Sequence, residues 1–466
     1  MNRMFVNRER ELKFFNDKYR SKGFDFIVIY GRRRVGKTEL VKQFIKDKKN
    51  IYFLADKRGT EFNIDRFKQK ISEFLDEPRV ELDTFEAVFS YLLKKIGDQR
   101  LIICIDEFSY LIEKDDSIPS VFQLIIDEIL NKSNIMLILL GSSVSLMENG
   151  VLSSKSPLYG RRTGQFKIEP LSFSNILEFF PNRELSENVL LYSVFGGIPF
   201  YLNKIDNGAA LDNIKSLILK KGEILYEEID FLLKEELREP STYKSILEAI
   251  ASGCSKIGEI SNKAKVETRD IDKYLKVLIN LGYVEKEISP TEKEKSKKTI
   301  YRIKDNFFKF WFKFCSPKLS ELEIGREGEV FSFIKNNLNS FVGIIFEEIC
   351  KEFLGKNRIF EYKKVGRWWG YKRIDNKREE IEIDICAVNE KTKEILFGEC
   401  KWQDNVNVES IMKDLREKIE YVEWNNEKRK ESYAVFAKSF SKKIDEFEGK
   451  KIYCFDLKDI EKRLKI

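Results

Sequence analysis

The segment 31–38 constrains the fold of this chain more than any other part of the sequence. It reads G-R-R-R-V-G-K-T and matches the spacing G-x-x-x-x-G-K-[ST] in full. It directly follows the apolar run 27–30 and opens a helical pattern over residues 37–46. In such a loop, glycines let backbone N–H groups surround phosphates, and the helix N-terminus adds its positive dipole. The sequence therefore predicts a strand–loop–helix unit that binds a nucleotide such as ATP.

Two side chains of this loop have a predicted chemical role. Lys37 is expected to reach the β- and γ-phosphates, and the Thr38 hydroxyl is expected to ligate Mg²⁺. A chance glycine-rich turn is the alternative, and the position between a strand and a helix argues against it. The predicted nucleotide-binding residues are Gly31, Arg32, Arg33, Arg34, Val35, Gly36, Lys37, Thr38 and Glu39.

A second apolar run, residues 101–105, ends in two acids, Asp106 and Glu107. Beside a phosphate-binding loop, Asp106 would hold Mg²⁺ through its waters, and Glu107 would orient or deprotonate the attacking water. A strand that merely ends in a solvated acidic turn would also give this pattern. The loop about 70 residues upstream favours the catalytic interpretation.

Four short apolar runs in the first third of the chain are separated by helical patterns. They cover residues 27–30, 51–54, 101–105 and 135–140. Continuous apolar strands alternating with helices are typical of a parallel sheet that is covered on both faces. We therefore predict an α/β fold with a parallel-sheet ATPase core over residues 1–170.

The next part of the chain is predicted to be mainly helical. Residues 171–235 read as a helical lid, and three helices and a hairpin follow. The third of these helices is expected at 269–281, and residues 283–288 would pair with 299–303. This order is typical of a winged helix, here over residues 236–305.

The charged segment 292–298 is expected to be the solvated wing. The third helix mixes basic and acidic residues, namely Arg269, Asp270, Asp272, Lys273 and Lys276. Such a mixed face does not favour major-groove reading, and a packing or regulatory role explains it equally well.

Aromatic residues are concentrated at 306–314, within a connecting segment over residues 306–330. A helix docked into the neighbouring domain would explain them. A platform on which nucleic-acid bases stack is the alternative hypothesis.

Composition excludes several classes of chemistry. The 466 residues contain no histidine, so Ser-His-Asp, Cys-His and His-ligated zinc sites are excluded. The 84 basic and 77 acidic residues give a net charge of +7, which permits a nucleic-acid partner without indicating one. Seven scattered cysteines predict reduced thiols in a cytoplasmic protein, and no apolar run suggests a membrane span.

The N-terminal motifs resemble archaeal-type ATPases of the AAA+/STAND group. Segment 5–12, F-V-N-R-E-R-E-L, is similar to the F-x-G-R-E-x-E-L segment that lies beside adenine in that family, with Asn7 in place of glycine. Segment 197–199, G-I-P, is similar to the G-x-P element before the winged helix. The resemblance implies a P-loop core, ATP as ligand and Mg²⁺ as cofactor.

The same resemblance implies further residues at the phosphate groups. Ser142 or Ser143, at the end of the fourth apolar run, would sense the γ-phosphate. Arg161 or Arg162, in the segment P-L-Y-G-R-R-T, would contact phosphate, although a surface ion pair is an equally good explanation.

A second group of charged residues lies near the C-terminus. Asp384 is expected to end one strand, and Glu399, Lys401 and Gln403 occupy alternate positions of the paired strand pattern at 395–403. Residues two apart share a face of a strand, so two carboxylates and an ammonium group would converge. Two carboxylates can hold Mg²⁺ or Mn²⁺, and the lysine would stabilise charge or orient a nucleophile. A cross-strand salt bridge is the alternative.

This D-x(14)-E-x-K arrangement resembles the PD-(D/E)xK nuclease superfamily. Residues 331–466 are similar to the domain of unknown function that follows the ATPase module in archaeal proteins of this kind. The resemblance implies an α/β, restriction-endonuclease-like domain, in which Glu347 or Glu348 on a predicted helix at 341–354 would supply a further acid.

Three functions remain open at this point. ATP binding and hydrolysis could drive a nucleic-acid-directed, metal-dependent C-terminal domain that acts on DNA. Alternatively, the chain could be a nucleotide switch that recruits a protein partner, or an ATPase whose C-terminal domain only scaffolds. A homo-oligomer is compatible with each of them, and a membrane partner is not expected.

Overall fold

The structure is a computed structural model that describes residues 5–293, 295–296, 298–359, 361–374 and 377–464. The chain divides into two units. The first runs to Leu171 and also includes Ile198–Phe200, whereas the second comprises Ser172–Gly197 and the chain from Tyr201 onward.

The first unit is built around a parallel sheet of five strands in the order β2-β3-β4-β1-β5. Its strands are β1 (Asp25–Tyr30), β2 (Asn50–Leu54), β3 (Leu101–Asp106), β4 (Ile135–Gly141) and β5 (Gly164–Lys167). Its helices are α1 (Glu9–Arg20), α2 (Lys37–Ile45), α3 (Thr60–Leu75), α4 (Phe85–Ile96), α5 (Phe108–Lys114), α6 (Ile118–Leu124) and α7 (Val144–Met147). Turns of π-helix extend α6 and α7 over Ile125–Leu130 and Glu148–Leu152.

The buried strands explain why the sequence pattern identified this sheet. Every residue of β1, β3 and β4 is buried, as expected for strands covered on both faces. The prediction of a parallel α/β sheet is confirmed. Strand β5 was not predicted, because its residues alternate between half-buried and exposed positions and carry little apolar signal.

The second unit begins with helices and a hairpin. Its first elements are α8 (Phe173–Phe179), α9 (Leu185–Phe195), α10 (Pro199–Leu202, which starts in the first unit), α11 (Ala210–Ile214, extended by a π-helical turn at Lys215–Leu219), α12 (Glu228–Glu236), α13 (Pro240–Ala251), α14 (Ile257–Ala264), α15 (Thr268–Asn280), β6 (Val284–Ile288) and β7 (Thr299–Ile303). The strands β6 and β7 pair antiparallel. The predicted order of three helices and a hairpin is confirmed. Glu294 and Lys297 of the expected wing lie outside the described residues.

The rest of the second unit contains a mixed sheet of six strands. Its elements are α16 (Asn306–Phe310, extended by a π-helical turn at Trp311–Cys315), a 3₁₀ turn (Ser316–Lys318), α17 (Leu319–Glu323), α18 (Glu327–Asn357), β8 (Lys364–Ile374), β9 (Lys377–Asn389), β10 (Glu394–Lys401), β11 (Val406–Asn407), α19 (Val408–Ile419), β12 (Lys430–Ala437), β13 (Phe440–Lys442), β14 (Glu446–Phe447), β15 (Lys450–Phe455) and α20 (Leu457–Leu464). The sheet order is β14-β15-β12-β10-β9-β8.

Within this sheet, β8, β9 and β10 pair antiparallel, whereas β10, β12 and β15 pair parallel. The predicted helix at 341–354 is the second half of the single helix α18, and β8 and β15 were not predicted from the sequence. All seven cysteines are unpaired thiols, as expected. Among the helices of the described residues, none combines the length and the apolar character needed to cross a membrane.

The aromatic residues of α16 and its π-helical turn belong to the core of the second unit. Phe307 and Phe308 are fully buried, and the Phe308 ring stacks on Tyr283 with centroids 4.2 Å apart. Asp305 caps the helix by accepting a hydrogen bond of 2.9 Å from the backbone N–H of Phe308. The hypothesis of a base-stacking platform is therefore wrong, because these ring faces are occupied by protein side chains.

Replacing Phe308 with alanine should destabilise the second unit by about 3–5 kcal/mol, because the substitution leaves a cavity in a close-packed core. Chemical denaturation followed by tryptophan fluorescence measures the change, since Trp311 lies in the same segment. Phe333→Ala is the matched control, because Phe333 is 41% exposed. It should cost clearly less, and equal losses would contradict the assignment of Phe308 to the core.

Candidate functional site

The predicted phosphate-binding loop lies between β1 and α2, at the carboxyl end of a central strand of the parallel sheet. This edge of an open α/β sheet is where ligands bind. Gly31 has φ +147°, and a Cβ atom there would lie 2.5 Å from the carbonyl oxygen of Ile168. Gly36, with φ +94°, caps the start of α2 and lies in the left-handed region. The backbone therefore requires glycine at both positions where the motif has one.

Lys37 is the first residue of α2, and its side chain turns back over the loop. Its Nζ donates hydrogen bonds to the carbonyl oxygens of Gly31 and Arg32, at 2.8 and 2.9 Å. The side chain is buried, so its charge is held by the loop itself. The predicted phosphate ligand thus lies inside the curve of the loop.

Thr38 and Asp106 meet across the sheet edge. The Thr38 hydroxyl donates to Oδ2 of Asp106 at 2.6 Å, and the backbone N–H of Glu107 donates to Oδ1 at 2.8 Å. A hydroxyl and a carboxylate are hard oxygen donors of the kind that Mg²⁺ takes. The structure brings together the two residues that the sequence predicted as metal ligands.

Tyr52 of β2 also contacts this pair, and no sequence motif pointed to it. Its hydroxyl donates to Oδ2 of Asp106 at 2.5 Å. Burial, the Asp106 charge and this hydrogen bond raise the pKa of Tyr52 well above its usual value, so the hydroxyl remains a donor. Strand register could have suggested the contact, since Leu54 of β2 lies opposite Asp106.

Glu107 lies directly after β3 with φ +54°, in the left-handed region. Its Oε2 accepts hydrogen bonds from the hydroxyl and the backbone N–H of Ser142, at 2.6 and 3.3 Å. Ser109 adds a longer contact of 3.4 Å. The expected sensor residue Ser142 therefore holds Glu107 in this structure. Ser143 directly precedes α7 and makes no side-chain capping hydrogen bond.

The two candidate arginines have different surroundings. Arg161 forms two hydrogen bonds of 2.7 Å with the carboxylate of Asp127 and a third with the carbonyl oxygen of Pro157. This is the ion pair that was the alternative explanation for Arg161. Arg162 donates to the carbonyl oxygen of Leu152 at 3.3 Å. Burial and the charges of Glu148 and Glu169 raise the pKa of Tyr30, which precedes Gly31, and the charge of Arg162 opposes this rise.

The other loop residues are distributed over several environments. Arg33 donates to the Tyr110 hydroxyl at 2.9 Å, and the Arg34 guanidinium lies 4.3 Å from the centroid of the Phe200 ring. Arg32 and Val35 are buried. Glu39 lies in the first turn of α2 and is exposed.

The N-terminal segment reaches the loop through Arg8. Its guanidinium donates to the carbonyl oxygens of Glu169 and Val35, at 2.5 and 3.5 Å. Asn7 has φ +60°, a conformation that glycine adopts freely and that asparagine tolerates better than most residues. Asn7 can therefore adopt the left-handed backbone conformation that a glycine at this position would adopt.

The C-terminal charged residues converge on two neighbouring strands. Gly398 of β10 lies opposite Ile385 of β9, so Asp384 and Glu399 follow at the same end of the pair. Oδ2 of Asp384 accepts a hydrogen bond of 2.8 Å from the backbone N–H of Cys400. Lys401 Nζ lies 2.6 Å from Glu399 and 4.0 Å from Asp384. The predicted convergence of two carboxylates and an ammonium group is present.

Two further basic residues at this cluster were not predicted. Lys418 of α19 donates to Oε1 of Glu399 at 2.7 Å, so Glu399 is held by two lysines. Arg367 of β8 is buried and pairs with Glu347 at 2.5 Å. Neither belongs to a recognisable motif, because both reach the cluster from elements that are distant in sequence.

Of the two candidate glutamates on α18, Glu347 is the one near Asp384. Burial, and then the charges of Glu399 and Glu347, raise the pKa of Asp384 to about 7. Glu348 instead pairs with Lys309 at 2.6 Å. Burial opposes the charge on Lys401, but Glu399 and Asp384 outweigh it and raise the pKa of that lysine.

Within the described parts of the chain, no group of three or more acidic or cysteine side chains is arranged to hold a metal ion.

Two protein families and several known proteins match parts of this chain. A family of ATPase domains found predominantly in Archaea matches residues 5–205, and a family of archaeal and bacterial proteins of unknown function, DUF234, matches residues 311–413. A protein described as ATP-binding, MJ0423 of Methanocaldococcus jannaschii, is 52% identical over 46 residues, which are 10% of this chain and 78% of that protein. The Walker-type ATPase PABY2304 of Pyrococcus abyssi is 21% identical with a TM-score of 0.48, over 66% of this chain and 96% of that one.

A further relative matches almost the whole chain. The protein MJECL04 of Methanocaldococcus jannaschii is 41% identical over 467 residues, which cover 98% of this chain and all of the relative. Together with the matching ATPase domain and the complete phosphate-binding motif, this likeness decides the class of the protein. The chain belongs to the family of MJECL04 and is a P-loop ATPase, with an archaeal-type ATPase domain followed by a DUF234 domain.

Proposed function

We propose that the first unit hydrolyses ATP with Mg²⁺ through the residues at the carboxyl edge of its sheet. Lys37 binds the β- and γ-phosphates, and Thr38 and Asp106 hold the cation. The observation that carries this proposal is the 2.6 Å hydrogen bond between Thr38 and Asp106, which holds the two proposed metal-binding oxygen atoms next to each other. When bound, Mg²⁺ neutralises charge that develops on the phosphate oxygens.

Glu107 is the group that orients or deprotonates the attacking water in this proposal. Its carboxylate is anchored by Ser142, so an incoming water must share or replace that hydrogen bond. Ser142 thereby acts on the γ-phosphate end of the site through Glu107. Arg162 is the preferred arginine at the phosphates because Asp127 already neutralises Arg161. The remaining loop residues, including Glu39, are also proposed to bind the nucleotide.

Replacing Glu107 with glutamine should lower ATP turnover by about 100-fold or more, because an amide cannot accept the proton of the attacking water. ATP affinity should remain close to that of the wild type. Steady-state phosphate release and equilibrium binding of a fluorescent ATP analogue measure the two quantities.

Two variants complete this experiment. Glu113→Gln is the matched control, since Glu113 is an exposed acid on the neighbouring helix α5 and should not affect turnover. Lys37→Ala should lose ATP binding. Normal turnover in the Glu107→Gln variant would show that another residue activates the water.

For the rest of the chain we propose a helical lid over 171–235, a winged helix over 236–305, a connecting segment over 306–330 and a PD-(D/E)xK nuclease-like domain over 331–466. The order of α13, α14, α15, β6 and β7 supports the winged helix. The antiparallel strands β8, β9 and β10, followed by the parallel strand β12, support the nuclease-like domain. The nucleotide state of an AAA+ ATPase would then control a domain that acts on DNA.

The charged cluster of β9 and β10 is the proposed reactive site of that domain. Asp384 and Glu399, with Glu347 nearby, offer oxygen donors to Mg²⁺ or Mn²⁺. Binding a cation there requires Lys401 and Lys418 to move away from Glu399, since both oxygens of this carboxylate accept from lysines. The released lysines would then face the phosphate backbone of DNA and stabilise its charge.

If this proposal is right, the full-length protein should nick supercoiled DNA in the presence of Mg²⁺ or Mn²⁺, and Asp384→Asn should lose at least about 100-fold of that activity. Gel assays with and without ATP, with ATP consumption recorded in the same tubes, measure both activities. Asp414→Asn, an exposed acid on α19, is the control and should cleave as the wild type does.

A second candidate function is a STAND-type nucleotide switch that recruits a protein partner. The observation that favours it is that the charged residues of the C-terminal cluster are neutralised by one another. Uncut DNA, together with ATP turnover that DNA does not change, would support the switch and reject the nuclease. The partner would then be sought among proteins, including further copies of this chain.

The raised pKa of Asp384 also predicts how stability depends on pH. The pKa is about 7 in the folded protein against 3.8 ordinarily, so the folded state binds more protons between these values. The contribution of Asp384 to the free energy of unfolding should therefore fall as the pH rises through about 4 to 7. Asp384→Asn should flatten this part of the curve in chemical denaturation, and Asp414→Asn should keep the slope. An unchanged slope in Asp384→Asn would contradict the assignment.

A further inference from the structure

Tyr52 is a residue of β2 whose hydroxyl contacts a proposed metal ligand, although it belongs neither to the acidic motif nor to the glycine-rich motif. The distance from its hydroxyl oxygen to Oδ2 of Asp106 is 2.5 Å, and the Thr38 hydroxyl donates to the same oxygen at 2.6 Å. The Lys42 ammonium lies 5.6 Å from the centroid of the Tyr52 ring. The residue thus contacts Asp106 directly and shares its acceptor oxygen with Thr38.

The donors around Asp106 explain what this contact does. One oxygen of the carboxylate accepts from the Glu107 backbone, and the other accepts from both Thr38 and Tyr52. The carboxylate is buried, so water does not supply alternative donors. A donor on each oxygen fixes the rotation of the carboxylate about its Cβ–Cγ bond. The donor from Tyr52 comes from β2, a strand that pairs with β3.

Thr38 is the other donor to that oxygen, and its hydroxyl oxygen is also expected to bind Mg²⁺. Tyr52 has no proposed role in holding phosphate or metal, so its hydroxyl remains available to Asp106. We propose that Tyr52 is a positioning residue, which orients the Asp106 carboxylate for Mg²⁺. This inference rests on the proposed metal roles of Thr38 and Asp106.

The test is the Mg²⁺ concentration needed for half-maximal binding of a fluorescent ATP analogue by the full-length protein. Tyr52→Phe should raise this concentration by about ten-fold, because it deletes one hydrogen bond to a charged group. Binding in excess EDTA should remain unchanged. In steady-state assays at saturating ATP, additional Mg²⁺ should restore much of the lost turnover.

Tyr91→Phe is a matched control in the same unit. The Tyr91 hydroxyl donates to Glu77 at 2.5 Å, so this variant deletes a tyrosine–carboxylate hydrogen bond away from the motif residues. It should leave the Mg²⁺ requirement unchanged. A comparison of the melting temperatures of both variants separates a loss of folding from a loss of positioning.

The outcomes separate this inference from the proposal on which it rests. If Asp106→Asn raises the Mg²⁺ requirement and Tyr52→Phe leaves it unchanged or lowers it, Tyr52 is not a positioning residue and the inference is wrong. If Asp106→Asn itself has no effect, the proposed metal role of Asp106 is wrong and the inference falls with it. An increase in both variants, without an increase in Tyr91→Phe, supports the inference.

Discussion

The hydrogen bond between Thr38 and Asp106 depends on the strand order of the first unit, and the nucleotide site depends on that bond. Thr38 follows β1 and Asp106 ends β3, and in the sheet these two strands are separated only by β4. Because all three strands run parallel, their carboxyl ends meet at one edge, where Ser142 also follows β4. An antiparallel arrangement of the same segments would place the acids and the loop at opposite edges. The apolar cores of the three strands therefore determine where the chemistry can occur.

Sequence alone was enough to predict the parts of this site that lie next to each other along the chain. The loop could be recognised because its glycines, its lysine and its threonine are required at fixed spacing. Asp106 and Glu107 could be recognised because they end a continuous apolar run. In the second unit, the alternation of β10 predicted that Glu399 and Lys401 share a face, and they lie 2.6 Å apart. These are local regularities that a periodic backbone imposes.

Contacts made by elements distant in sequence were not predictable in this way. Tyr52 reaches Asp106 across 54 positions, and Lys418 and Arg367 reach the acidic cluster from α19 and β8. Each of these residues has an ordinary surrounding sequence, because its position depends on sheet order and helix packing. The ion pair of Arg161 with Asp127 is of the same kind. The sequence placed arginine in a motif, and only the fold showed which carboxylate it faces.

Both charged sites are constructed so that their buried or half-buried ions are paired within the protein. Lys37 is held by the carbonyls of its own loop, Asp106 by three donors, and Glu399 by two lysines. Because an unpaired buried charge is costly, a ligand must replace these partners as it binds. A triphosphate can do so for Lys37, since it offers the ammonium group more negative charge than two neutral carbonyls. At Glu399 the exchange is harder, because two full ion pairs must separate before a cation can enter. The affinity of each site for its ligand is therefore a difference between two sets of interactions, and the carbonyl partners of Lys37 are neutral whereas the lysine partners of Glu399 are charged.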